Sequence, residues 1–367
     1  MKIAFDAKRF FNNTSGLGNY SRDLVRILAT YYPENEYILL NKNLSERGKE
    51  ILELPHVFFE KTSSGKLARQ YKMGKDAQHL QADIFHGLSG ELPLKWNAQP
   101  IKKIVTIHDL IFERYPQYYS WFDRKIHLWK FKKAAQSADR IIAISEQTKL
   151  DIIQFLNVPE SKITVVYQGC HQAFKQDFNE DKASILKEKY NLPDRFLLNV
   201  GTVEPRKNAF SIVQAIQNTE IPLVIVGRKT TYSEKIKRFL KKNKMENQVI
   251  FLEGFTMEEL ALLYKMADIF VYPSFFEGFG IPVIEALFSR TPVITSGKSS
   301  LPEAGGNGAL YIDPENPKDL SAKIKFLWNH ETERKRLAEI GFKYVQKFSD
   351  EIIAKEMNSV YQDVLKS

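Results

Sequence analysis

Glu277 and Glu285 stand eight positions apart in the stretch YPSFFEGFGIPVIEALFSR, residues 272–290, with Gly278 and Gly280 between them and Pro282 where the first turn of a helix accepts a proline. A glycine-bearing loop that opens a helix leaves backbone N–H groups at an end of partial positive charge, which suits an anionic or polyhydroxyl ligand. Phe279, Gly280 and Ile281 are placed to supply those groups. On this spacing Glu285 is expected in the helix's first turn with its carboxylate turned back to the same mouth. A carboxylate there accepts from vicinal hydroxyls of a sugar or a ribose. Taken bare, two glutamates at this spacing are a weak signal and better fit a helix-capping carboxylate plus a surface residue. Upstream, NVGTVEPRKN at 199–208 ends an apolar run in a glycine and then sets Arg206 beside Lys207, a pair of cations at a strand end. Adjacent residues leave a regular helix or strand in different directions, so these two are expected to divide their work.

The elements that must position these groups show in short, β-rich apolar runs. They lie at 2–7, 36–41, 57–61, 84–87, 103–109, 140–145 and 163–169, and again at 196–202, 222–227, 249–254, 269–274, 291–296 and 309–313. Near-continuous apolar runs alternating with helical stretches predict parallel strands covered on both faces, the doubly wound α/β arrangement. The rhythm occurs twice. It predicts two Rossmann-like domains, 1–172 and 173–349, with a hinge in the polar segment between 168 and 195 and a cleft at the carboxyl ends of both sheets. Ile353, Met357, Val360, Tyr361 and Val364 recur at helical spacing, so 350–367 should be a closing helix, with the N-terminal domain as one place for it to pack.

With strand, loop and helix in place, EGFGIPVIEA resembles the donor-site motif of retaining nucleotide-sugar glycosyltransferases of the GT-B fold, in particular glycosyltransferase family 4. Its pattern of Glu, seven residues, Glu is matched by Glu277 and Glu285. NVGTVEPRKN resembles the family's basic pair for the donor pyrophosphate: Lys207 lines up with its lysine, Thr202 stands where some relatives carry the arginine, and Arg206 replaces that arginine from another position. GLGNY at 16–20 is similar to the N-terminal glycine loop, with Gly16 and Gly18 approaching donor phosphates and Tyr20 on the acceptor side. His108 and Asp109, closing KIVTIHD, resemble the histidine region of the acceptor face, and Ser145 fits there as well. On the donor side the resemblance adds Gly227, Gly254 and Glu303. Gln168 stands where Asn is common and Asp350 where an aromatic is, and neither is expected to touch the chemistry.

The resemblance implies a retaining, metal-independent hexosyltransferase with no cofactor. Its donor would be a nucleotide-diphosphate sugar, with GDP-mannose ahead of UDP-sugars on the wording of GTVEPRKN, and its acceptor a glycan or lipid-linked glycan of the cell envelope. Glu277 would bind the transferred sugar, Glu285 the ribose, and Arg206 with Lys207 the leaving phosphate. Two other functions stay open: different GT-B sugar chemistry, such as a phosphorylase or epimerase, and a non-catalytic subunit that binds nucleotide sugar.

Composition narrows the field further. The 367 residues carry one cysteine, Cys170, so no internal disulfide forms and a reducing, cytoplasmic setting is expected. There are 53 Lys and Arg against 44 Asp and Glu, a net charge of +9. Residues 118–133, YYSWFDRKIHLWKFKK, interleave that charge with aromatics, which suits peripheral contact with anionic lipid; a helix with its aromatics in the core and its lysines in water has the same composition. Nucleic-acid binding is not expected, since the basic residues are spread through alternating strands and helices with no reading helix. A dinucleotide fingerprint should open a helix directly after the first strand, and here the glycines come later, at 16 and 18. A Walker loop fails because Pro292 occupies the place of its first glycine, and no Asp-x-Asp pair or His pair at helical spacing offers a metal site.

Overall fold

The computed structural model describes residues 1–13, 16–65, 67–97 and 100–367. The chain divides into two compact units, Met1–Gly169 with Phe348–Ser367, and Cys170–Lys347. The crossings come slightly earlier than the boundaries 172/173 and 349/350 expected from sequence. The reason is local: the Tyr167 ring meets the Phe348 ring edge-on at 5.3 Å, which ties both crossing segments to the first unit.

The first unit holds β1 (Lys2–Asp6), β2 (Glu36–Asn41), β3 (Val57–Lys61), β4 (Ile84–Gly87), β5 (Lys102–Ile107), β6 (Arg140–Ala143) and β7 (Ile163–Val165). They form one parallel sheet in the order β3-β2-β1-β4-β5-β6-β7. Successive strand side chains face opposite layers. Ile3 and Phe5 therefore pack with Leu24 and Leu28 of the helix Gly16–Tyr31 and with Ile353 and Met357 of the closing helix Asp350–Lys366, while Ala4 joins Val105, Ile141 and Ala134 on the other face.

The second unit holds β8 (Leu197–Val200), β9 (Leu223–Val226), β10 (Val249–Leu252), β11 (Ile269–Tyr272), β12 (Val293–Ser296) and β13 (Ala309–Ile312), parallel throughout in the order β10-β9-β8-β11-β12-β13. Each sheet reverses its order once, between β1 and β4 and between β8 and β11. Open α/β sheets leave a crevice for ligands at the carboxyl ends of strands at such a point. Several strands are shorter at that end than their apolar runs suggest, because Gly201, Gly227 and Gly254 take φ of 145°, 150° and 83° and carry the chain out of the sheet.

Candidate functional site

In the second unit the loops after β8 and β11, the two strands at the switch point, are stitched together by their own backbone. Phe275 N–H donates to the Arg206 carbonyl at 2.9 Å, and Arg206 Nη1 donates to the Phe276 carbonyl at 2.7 Å. Asn208, in the left-handed region at φ 56°, donates from Nδ2 to the carbonyls of Pro273 and Pro314. Into this frame Glu277 brings one oxygen, Oε1, which receives Lys207 Nζ at 2.6 Å, Ser274 Oγ at 2.6 Å, Tyr272 OH at 3.0 Å and Arg206 Nη1 at 3.0 Å. Lys207 Nζ also donates to Tyr272 OH.

Arg206 and Lys207 thus converge where divergence was expected. They sit in a 3-10 turn, Pro205–Lys207, rather than in a regular helix or strand. The electrostatics follow from burial and from that convergence. Burial alone would raise the Glu277 pKa, but the charges of Lys207 and Arg206 outweigh it and hold the carboxylate down at about 2. Burial pulls the Lys207 pKa below its ordinary value, and neighbouring Arg206 adds to the pull against Glu277. Glu204, a third exposed, takes the other Arg206 nitrogen at 2.7 Å.

The EGFG loop is held from β12. Ser300 Oγ lies 2.9 Å from the Glu277 carbonyl and 2.8 Å from the Phe279 carbonyl, while Ser299 Oγ accepts from the Glu277 N–H at 3.2 Å. Gly280 caps the helix Ile281–Phe288 at φ 125°, and a Cβ there would come within 3.0 Å of Leu301 and 3.2 Å of Ala304 on the helix Leu301–Gly305. Glu285 proves to lie in the second turn of its helix, not the first. It accepts a hydrogen bond from Tyr264 OH at 3.0 Å, and burial raises its pKa to about 7. Glu303 is on the neighbouring helix, partly exposed, with its carbonyl taken by Tyr344 OH. Phe279 is buried and Ile281 partly exposed, so Phe279 offers the site backbone rather than side chain.

The glycines separate by role. A Cβ on Gly227 would meet the Gly201 carbonyl oxygen at 2.0 Å, so Gly227 permits two strand-end loops to touch beside Thr202, which is partly exposed. Gly254 ends β10, at the far edge of the sheet with open space around it, and is not brought to the Glu277 cluster. Tyr272, Ser274, Ser299 and Ser300 are the members that sequence reasoning missed. Their only signal is a run of hydroxyls at the ends of β11 and β12.

In the first unit His108 follows β5. Its Nε2 lies 2.9 Å from the Leu88 carbonyl, which only accepts, so Nε2 carries the proton and Nδ1 accepts from Gln168 Nε2 at 2.9 Å. Burial, helped by the charge of Arg9 and opposed by the Leu88 bond, lowers its pKa to about 4, and the ring is neutral near pH 7. Gln168 was expected to stay clear of the chemistry and instead fixes the tautomer of His108. Tyr20 meets the His108 ring edge-on at 4.6 Å, and its hydroxyl lies 3.2 Å from Thr106 Oγ1. Asp109 Oδ1 accepts from the Ile111 N–H at 3.1 Å, the start of a short helix. Ser145 departs from its expected place as an acceptor contact. It is fully buried, caps the helix Glu146–Asp151 through the Thr148 N–H, and is linked through Thr148 Oγ1 to the His108 backbone carbonyl. Gly18 is needed for packing, since a Cβ would meet the Asn13 carbonyl oxygen at 2.1 Å, whereas Gly16 faces open space.

A sequence profile described as Glycosyltransferase Family 4 matches residues 15–173, and one described as Glycosyl transferases group 1 matches residues 181–344. The chain belongs to glycosyltransferase family 4. Among relatives of this family 4 glycosyltransferase, the O-antigen chain mannosyltransferase B of Escherichia coli is 27% identical over 356 residues, 88% of this chain and 90% of the relative. A glycosyltransferase from Rickettsia africae superposes with a TM-score of 0.78 at 17% identity, over 100% of this chain and 99% of that one. Anabaena HepE, solved in complex with UDP and glucose, superposes at 0.76 and 17% identity, over 99% and 100%. The two parallel-sheet units are those of the GT-B glycosyltransferases.

Proposed function

We propose that this chain is a retaining, metal-independent hexosyltransferase that takes its sugar from a nucleotide diphosphate, GDP-mannose in the first place, and passes it to a glycan or lipid-linked glycan acceptor in envelope polysaccharide synthesis. The observation that carries the donor half is the meeting of Arg206 and Lys207 on one oxygen of Glu277. Two partly buried cations share one buried carboxylate, and an entering diphosphate would give the pair a second counter-charge. The mannose lean is supported by the printed name of the Escherichia coli relative, and a nucleoside diphosphate by the UDP in HepE.

Chemically, the bond from the anomeric carbon to the diphosphate oxygen breaks and one from that carbon to the acceptor hydroxyl forms on the same face. Glu277 is a poor nucleophile and a poor base, because its carboxylate is ion-paired and its pKa sits at about 2. The proton of the acceptor hydroxyl therefore goes to the departing phosphate, whose negative charge Arg206 and Lys207 stabilise. The four described donors to Glu277 all fall on Oε1, which leaves Oε2 to accept from a sugar hydroxyl. Glu285 would accept from the ribose, and the first unit, through the neutral His108, would take the acceptor. The test is turnover of GDP-mannose and UDP-sugars with and without a chelator, with the anomeric configuration of the product read by NMR. Inverted product, or activity that a chelator abolishes and a divalent ion restores, would sink this reading.

A further inference from the structure

The helix Trp121–Ser137 carries two sets of large apolar side chains, and the fold uses only one of them. On its inner side Leu128, Phe131, Ala134 and Ala135 pack into the core of the first unit, Phe131 edge-on to Phe112 at 5.3 Å, and Arg124 Nε donates to the Phe112 carbonyl at 2.8 Å. Trp121, Phe122, Ile126 and Trp129 are left outside, at 60%, 73%, 53% and 50% exposure. At 100° per residue these four span about 140° of the helix surface. Lys125, Lys132 and Lys133 fall within the same sector, and no ion pair engages any of the three among the described residues. The one acidic residue of the helix, Asp123, lies outside that sector and is taken by Ser120. Just ahead, Tyr118 and Tyr119 are exposed as well.

A core-facing helix has no use for two tryptophans in water, and the lysines among them make this face positive. Aromatic side chains that seat at the boundary of headgroups and acyl chains, set among lysines that no described carboxylate pairs, fit an anionic lipid surface. The direction of the helix adds to this. β5 and β6 run parallel, so the helix joining them runs back against the strands, and its first turn lies at the carboxyl end of the sheet, where His108 follows β5.

We propose that this outer face rests on an anionic bilayer and so brings the acceptor rim of the first unit, with His108 and Tyr20, to the membrane surface, where the acceptor is held by a lipid. The bilayer contact stands on the exposed face alone; the identity of that rim as the acceptor side rests on the transferase reading. The experiment is cosedimentation of the full chain with phosphatidylcholine vesicles, with and without phosphatidylglycerol, at low and high salt. Nucleoside-diphosphate binding is followed by thermal shift on the same preparations. Binding should require phosphatidylglycerol and weaken with salt. A lysine near such a surface is worth about fivefold in partitioning, so Lys125→Ser/Lys132→Ser/Lys133→Ser should lose on the order of a hundredfold. Trp121→Ser/Phe122→Ser/Trp129→Ser should lose binding at either salt while keeping the thermal shift. A chain that ignores vesicles but keeps its thermal shift overturns the membrane proposal alone. So does a face whose aromatic variant abolishes self-association instead of vesicle binding. Vesicle binding with no thermal shift from any nucleoside diphosphate supports the contact and overturns the donor reading.

Discussion

Lys207 and Glu285 are both held away from their ordinary titration, and each in the direction a nucleotide sugar would correct. Lys207 is a partly buried cation beside Arg206 that a diphosphate would stabilise most where negative charge grows, on the leaving group. Lys207→Ala should therefore lower turnover by about a hundredfold or more, roughly 3 kcal/mol of barrier, with bound donor. Glu285→Ala should mainly weaken nucleoside-diphosphate affinity; equal, trivial effects of the two in a transfer assay would contradict both roles. The glutamates also oppose one another in pH dependence. Glu277 titrates lower in the folded chain than unfolded, so its contribution is present above about 4.5 and is lost as pH falls toward about 2. Glu285 titrates higher, so between about 4.5 and about 7 the folded chain binds the extra proton and stability declines as pH rises through that window. Glu285→Gln should flatten the decline in denaturant melts taken across it. His108 is lowered to about 4 and accepts from Gln168, so Gln168→Glu, which sets a carboxylate against Nδ1, should move the imidazole titration upward by NMR. No loss of slope with Glu285→Gln, or an unmoved His108, would reject these assignments.

Strands, loops and helices were legible in proportion to how much the apolar pattern alone decides them. All thirteen strands among the described residues lie on apolar runs read from the sequence, because a parallel strand covered on both faces is written almost entirely in Val, Ile, Leu and Phe. What the pattern could not reveal is the loop geometry. The turn of Pro205–Lys207 that joins two cations, the second-turn place of Glu285, and the burial of Ser145 all depend on backbone dihedrals and neighbours distant in sequence. The strand-end glycines show the same limit, since nothing in sequence distinguishes Gly227 from Gly254. Alanine at Gly227 meets both an unfavourable φ and the Gly201 carbonyl, and should cost about 3 kcal/mol or more. Alanine at Gly254 meets open space and should cost only backbone strain, on the order of 1 kcal/mol. Urea midpoints of the two variants give the comparison, and equal shifts would remove Gly227 from its packing role.

At the scale of the whole chain, the last helix belongs to the unit that begins the sequence. The spacing of Ile353, Met357, Val360 and Val364 shows that the helix needs a core, but not whose; in the structure they join Phe5, Leu24 and Leu28, and polar contacts accompany that packing. Asp350, the first residue of the closing helix, meets Arg26, which also holds Asp23, on the helix Gly16–Tyr31. Deeper in, Tyr361 OH lies 2.8 Å from His86 Nδ1, His86 Nε2 lies 2.8 Å from Thr106 Oγ1, and Thr106 in turn meets Tyr20, the residue against the His108 ring. Burial keeps His86 neutral by lowering its pKa to about 3, so one of its nitrogens must accept and the other donate, and every member of the row is buried. Removing one hydroxyl from such a row strands a buried nitrogen, at about 1–3 kcal/mol. Tyr361→Phe should therefore speed amide hydrogen exchange in β4, β5 and the helix Gly16–Tyr31 and leave the strands of the second unit unchanged. Because the row ends on the ring packed against His108, the variant should also lower transfer without altering nucleoside-diphosphate affinity. Faster exchange spread evenly over both units, or a weakened nucleotide, would show that the closing helix does not act through this row.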